Sequence, residues 1–382
     1  MFRFLNCALL IVCFCAAPAW SAPGVFPNEI LLGQSCDLGG PAKDRGEGIR
    51  AGLLAAFQQA NASGGVHGRS VRLISLDDGY DPERAVLNTR RLIEEYGVFA
   101  LIGEVGTPTS YAALSVAEKA GVPFLAPATG AAFLRAPLRP LVVNIRAGYR
   151  AEIEKLVEHL VDQRKFTRIA CFYQSDSFGR SCVKDLEDIL SKRGLALAGS
   201  GVYERETLAV KSAVLSVLRS KPQAVILASA LRPSALFIRL AKKLGMDKVE
   251  FCALSFAGAV QLAPELGDAG EGVVLSQVTP YPLNRSTPLI KEYVQAMRSR
   301  QPAAIPGAAS LEGYIAGRVF LKAAASAGLD PTRTSFMTAL EGLGTFHIGG
   351  LDLSFGPLDH QGLDQTFLFV IRKGKVEPFE SE

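Results

Sequence analysis

Along most of this chain, short unbroken apolar runs alternate with longer stretches whose apolar positions recur every three or four residues. Asn28–Ser35, Val71–Leu76 and Leu141–Arg146 are strand-length segments in which a few polar residues interrupt the apolar ones, and Val98–Ile102 and Val122–Ala126 are runs of the first kind. A parallel strand covered on both faces reads this way, because neither direction of its side chains meets water. Between them, Arg45–Ala60 places Ile49, Leu53, Ala56 and Phe57 on one helical face. Asp81-Pro82-Glu83 opens a helix through Leu92, with Asp as the cap and Pro at the first position. The same rhythm predicts helices over 150–161, 180–192, 208–220 and 233–244. It predicts strands over Arg168–Phe172, Leu195–Tyr203, Ala224–Ala228 and Glu250–Ser255. A helix over Ser310–Ala325 and mixed strands after it suggest that the chain crosses back between two halves. The fold class is therefore α/β, with two doubly wound parallel sheets and a break near residue 148.

The stretch Val98–Ala131 organises the first half. Its two strands each end in a small polar turn. Gly106-Thr107-Pro108-Thr109-Ser110 opens a helix that Gly121 stops, with Thr107 as a cap and Pro108 at the first helical position. Pro127-Ala128-Thr129-Gly130-Ala131 follows the second strand. Open α/β sheets bind ligands at the carboxyl ends of their strands, and free N–H groups at a helix start favour an anion. The hydroxyls of Thr107, Thr109, Ser110 and Thr129, with the neighbouring amides, are thus read either as helix caps or as the holders of a carboxylate.

Composition narrows the class. The chain has 382 residues, too many for one ordinary core, with 48% hydrophobic residues and a net charge of +4 from well-mixed basic and acidic positions. No basic stripe points to nucleic acid. Residues 1–22 differ from the rest: Arg3 precedes the apolar run Phe4–Cys15, and Ala17-Pro18-Ala19 or Ala19-Trp20-Ser21 supplies small residues for cleavage. This predicts a cleaved secretory signal peptide and an exported protein. The run is too short for a membrane anchor, and Val12 and Phe14 are too bulky to precede a lipidated Cys. Cys36, Cys171, Cys182 and Cys252 follow the leader. Their even number permits disulfides, Cys171–Cys182 among them, although the spacing demands none.

Several chemistries lack a signature. His67, His159, His347 and His360 are scattered, so no metal or other cofactor is expected. Asp77, Asp78 and Asp81 read as a strand-end turn and a helix cap. There is no phosphate-binding glycine loop and no nucleophile elbow, and no enzyme is expected.

Taken in order, Leu38-Gly39-Gly40-Pro41, Asn61–Arg69, Asp77-Asp78-Gly79-Tyr80-Asp81-Pro82, Leu101-Ile102-Gly103, Gly121-Val122-Pro123-Phe124 and Phe178-Gly179 are similar to motifs of a known family. The mature chain resembles the periplasmic substrate-binding proteins of branched-chain amino acid ABC transporters, the type I periplasmic binding fold. The resemblance implies two lobes joined by a three-crossing hinge, 23–147 plus 276–354 and 148–275 plus 355–382. They would close over a small-molecule ligand, as a monomer, for the membrane permease of an ABC importer or for a membrane signalling protein. It places ligand contacts at Thr107, Ala128, Thr129 and Gly130, faced by Phe178 and by residues near Leu231 and Ser255. Pro108, Thr109, Tyr149 and Gln174 complete the candidate site, with Tyr149, Tyr173 and Phe178 able to pack an apolar ligand body or to serve as core.

Amino-acid binders of this family carry an aromatic residue where this chain has Arg45 and a Glu where it has Ser255. A buried ammonium without a carboxylate partner is costly. The resemblance therefore leaves an amino acid in doubt unless Asp44, Asp176 or Glu104 substitutes. Arg45 and Arg146 favour a second anionic group on the ligand, or are surface or salt-bridged residues.

Overall fold

A computed structural model describes residues 22–303 and 305–379; the expected signal peptide, apart from its last residue, lies outside them. Five strands form the first sheet: β1 (Glu29–Cys36), β2 (Ser70–Asp77), β3 (Ala100–Ile102), β4 (Phe124–Leu125) and β5 (Val142–Val143). Their order is β2-β1-β3-β4-β5, with every pair parallel. The crossovers are α1 (Lys43–Ala62), α2 (Pro82–Glu94) and α3 (Thr107–Lys119). Asp81 caps α2 as its sequence predicts, accepting bonds from the amides of Glu83 and Arg84.

After β5 the chain enters α4 (Tyr149–Val157) and builds a second sheet. Its elements are β6 (Ile169–Gln174), α5 (Ser177–Ser191), β7 (Gly199–Tyr203), α6 (Lys211–Arg219), β8 (Ala224–Ala228), α7 (Leu231–Ala241), β9 (Glu250–Ala253), α8 (Ala259–Leu266) and β10 (Val274–Gln277). The chain then returns to the first sheet's side with α9 (Pro288–Arg300), α10 (Ala308–Ser326), α11 (Arg333–Glu341) and the hairpin β11 (Gly344–His347)–β12 (Asp352–Phe355). The strands β13 (Phe367–Arg372) and β14 (Lys375–Pro378) finish the second sheet, antiparallel at its edge. The whole is a mixed α/β molecule of two doubly wound sheets.

Several boundaries differ from those the residue pattern predicts. The run Leu141–Arg146 keeps only Val142 and Val143 in the sheet. Asn144 leaves to bridge Gln361, its amide donating to the His360 carbonyl and its carbonyl accepting from Gly362. The helix expected over 150–161 is α-helical only to Val157 and continues as a π-turn over Glu158–Gln163. The strand expected from Leu195 starts at Gly199. Cys171 and Cys182 do not pair: all four cysteines among the described residues are buried free thiols, packed as small hydrophobes.

Helices α1 and α10 lie unusually close. A Cβ on Gly52 would stand 1.9 Å from the Ser310 carbonyl oxygen, and one on Gly313 would stand 2.1 Å from that of Ile49. Only glycine permits this approach, and it sets Arg45 of α1 against Glu312 of α10.

Candidate functional site

The two turns that end β3 and β4 meet. Gly106, at φ +100°, forms the N-cap position of α3, and Tyr80 packs where a side chain on it would lie. Thr107 is the first helical residue and does not cap. Its hydroxyl instead bonds that of Thr129 at 2.7 Å, and Thr129 lies 3.4 Å from the Tyr149 hydroxyl. All three side chains are buried. Thr109 turns back to the Val105 carbonyl at 2.5 Å and so closes the helix start. Ser110 is buried with its hydroxyl unpartnered. Pro108 is the second helical residue rather than the first, because the helix begins one residue earlier, at Thr107. The amide of Ala128 donates to the Glu104 carbonyl, and Gly130 accepts from the Tyr149 amide.

Facing these turns is a wall of rings. Phe178 lies 4.9 Å from Tyr149 and 4.9 Å from Phe256, and Tyr80 reaches Phe256 at 5.9 Å. Phe178 is oriented because Asp176 caps α5 through the amides of Phe178 and Gly179. Gln174, at the end of β6, sits between the Tyr80 and Tyr203 hydroxyls at 3.3 Å and 2.8 Å. Beside this wall is a cavity of about 310 Å³ lined by Gly40, Pro41, Gln174, Tyr203, Ala230 and Arg232. Leu231 and Ser255 line a smaller crevice with Arg45 and Phe256.

At the hinge end, four charges form one network. Arg45 donates to Glu312 at 2.7 Å and to the Ser255 carbonyl at 3.1 Å. Arg146 donates to Glu152 at 2.7 Å and to the Ser255 hydroxyl at 2.5 Å, and its second amino nitrogen stands 3.6 Å from Glu312. Glu152 also accepts from the amide and hydroxyl of Ser255 and from the hydroxyl of Ser276. Arg146 is therefore a buried ion-paired residue, not a surface one, and Arg45 is bound within the protein rather than presented free. Burial works against the charge of Arg146, but Glu312 and Glu152 overcome it and hold its pKa above the ordinary value. For Arg45 burial prevails over Glu312, and its pKa is lowered. Each guanidinium lies 5.6 Å from a ring of the wall, Arg45 from Phe256 and Arg146 from Tyr149.

Beneath the turns sits a second acidic group. Burial pushes the Asp78 carboxyl up to about 7, although it accepts from Ser35 and the Tyr80 amide. Glu104 is fully buried with neither carboxyl oxygen partnered, and burial, aided by Asp78, raises its pKa well above the usual carboxylate range. Of the carboxylates considered as substitutes, Asp176 is a helix cap, Asp44 is exposed and Glu104 lies in this lower layer.

Sequence reasoning missed Tyr80, Glu152, Phe256 and Glu312. A charged residue on an otherwise buried helix face was the available signal for two of them: Glu152 lies with Tyr149, Ile153 and Leu156, and Glu312 with Leu311, Ile315 and Ala316.

Comparison with known proteins gives one answer. Residues 29–375 match the family described as periplasmic binding protein. A possible leucine/isoleucine/valine-binding protein from Rhodopirellula baltica SH 1 is 35% identical, with a TM-score of 0.88 over 92% of this chain and 96% of that one. A substrate-binding periplasmic protein from Ralstonia solanacearum is 29% identical, with a TM-score of 0.86 over 92% and 100%. The Leu/Ile/Val-binding protein homolog 7 of Brucella abortus (strain 2308) is 27% identical over 330 residues, 82% of this chain and 81% of its own length.

Proposed function

Because this chain belongs to the periplasmic binding protein family, in its Leu/Ile/Val-binding branch, we propose that it captures a small carboxylate-bearing solute between two lobes and delivers it to the permease of an ABC importer. The lobes are 23–147 with 276–354 and 148–275 with 355–382. They close by rotation about the crossings near Asn144, Gln277 and Gln361. The protein acts as a binder, with no reaction of its own.

One observation carries the site: the Thr107 and Thr129 hydroxyls, 2.7 Å apart, end two neighbouring parallel strands opposite Tyr149 and Phe178. The first amides of α3 have no acceptor within the helix and favour an anion. A carboxylate at this point would take hydroxyl and amide donors together, leaving its body against the Tyr80, Tyr149, Phe178 and Phe256 rings. Ala128 and Gly130 shape the turn, Gln174 orders the two tyrosines, and Arg45 with Ser255 borders the far end.

The test is a thermal-shift screen of the purified protein against carboxylates, amides and polyamines, followed by titration calorimetry. Binding stabilises by roughly 2.7 kcal/mol at a hundredfold excess over Kd, enough to read. Thr107→Ala with Thr129→Ala should weaken the best carboxylate by roughly 1–3 kcal/mol. Unchanged affinity in a folded double variant would reject the site. Delivery is checked by uptake of that solute in cells lacking the gene, where transport should fall.

A further inference from the structure

In the network at the hinge end both carboxylates face guanidiniums, while guanidinium N–H groups remain without hydrogen-bond partners. Each oxygen of Glu152 already accepts two bonds. Glu312 is shared between the two guanidiniums. Asp176 accepts from two amides and from Gln174. Asp37 accepts from the amides of Gly39, Gly40 and Ala42. Among the described buried side-chain atoms without a hydrogen-bond partner are Arg45 Nε, Arg146 Nε and Arg146 Nη1, the last 3.6 Å from Glu312. The unpartnered amide and carboxyl oxygens among them are the amide oxygens of Asn144 and Gln361 and the Glu104 carboxyl, which lies in the layer beneath the threonine turns.

From this distribution we propose that the cleft takes a carboxylic acid with an apolar or aromatic body and no ammonium group. An ammonium needs acceptors, and here the protein's own cations, Arg45 and Arg146, occupy Glu152 and Glu312, the carboxylates beside the Ser255 turn. Entering the cleft, it would lose its water and meet two fixed guanidiniums. A group that is neutral or accepts hydrogen bonds at the same position, such as a 2-oxo or 2-hydroxy oxygen, meets unpaired Arg donors instead. The four rings of the wall suit an apolar body, and two of them are already backed by the guanidiniums. This inference rests on the carboxylate reading above and specifies its ligand class.

The decisive experiment compares matched acids on the purified protein by calorimetry: 4-methyl-2-oxopentanoate against leucine, and phenylpyruvate against phenylalanine. Each pair differs at one carbon and shares body and carboxylate. The oxo acid of at least one pair should bind roughly tenfold or more tighter than its amino acid. Equal or tighter binding of the amino acids overturns the inference. If that amino-acid binding is lost in the Thr107→Ala, Thr129→Ala variant, the carboxylate site itself survives. Binding by none of the four overturns the inference and counts against the carboxylate reading as well. Arg45→Met removes one of the two cations holding Glu312. In variant that retains its circular dichroism spectrum, the preference for the oxo acid should narrow, and an unchanged ratio contradicts the role given to Arg45.

Discussion

Two pairs of buried carboxyls lie close to the cleft in opposite electrostatic surroundings. Glu152 and Glu312 stand among guanidiniums and serine donors, and the charge they carry holds Arg146 firmly protonated. Asp78 and Glu104 have no cation beside them. Burial raises both; Asp78 adds to the rise of Glu104, and Asp37 and Asp77 add to that of Asp78. Burial is common to the two pairs, so burial does not decide which carboxyl is ionised. The supply of fixed donors does. The ionised pair ties α1, α4, α10 and the Ser255 turn together across the cleft. The raised pair forms a layer beneath the threonine turns.

The largest expected effect is in the ionised pair. Glu152→Ala leaves Arg146 buried beside only Glu312 and removes the acceptor of Ser255 and Ser276. It should destabilise the protein by about 3–5 kcal/mol in urea unfolding. A loss below about 1 kcal/mol would mean that water or movement of Arg146 replaces the carboxylate, and the contrast between the pairs would collapse.

The second test is a pH dependence. Folded Asp78 keeps its proton up to about 7, whereas the unfolded chain releases it near its ordinary 3.8. Between those values the folded state holds more protons, so stability is fully present at the low end and falls as pH rises through the window. The drop is at most about 4 kcal/mol by linkage, and less if water reaches the group. Asp78→Asn should flatten that component of the slope. An unchanged slope in the variant would assign it elsewhere.

The smallest effect is expected at Glu104. Replacing a protonated carboxyl by the neutral amide in Glu104→Gln conserves volume and should shift stability by less than about 1.5 kcal/mol. A large gain at neutral pH would show that Glu104 carries a charge there, making the two pairs alike.

Much of the fold is legible in the residues. The alternation of apolar runs with helical faces gives the strands and crossovers, because a buried parallel strand and an amphipathic helix each impose a period. Asp81 marks a helix start through its own side chain, a local interaction. The threonine turns are legible for the same reason: each lies next to its strand in sequence. Boundaries fail where a distant partner decides, as when Gln361 draws Asn144 out of the strand expected to run on to Arg146.

What the sequence by itself determined is therefore the set of local elements, the two-sheet α/β plan and the placing of Thr107 and Thr129 at neighbouring strand ends. What only the tertiary structure decided is who neutralises whom. Arg45 meets Glu312 across 267 residues, and Ser255 meets Glu152 across 103. The close approach of α1 and α10 at Gly52 and Gly313 brings the first pair together. The physical reason is range: a helical period or a cap is fixed within a few residues, whereas the partner of a buried charge is whichever side chain the folded backbone brings within about 3 Å.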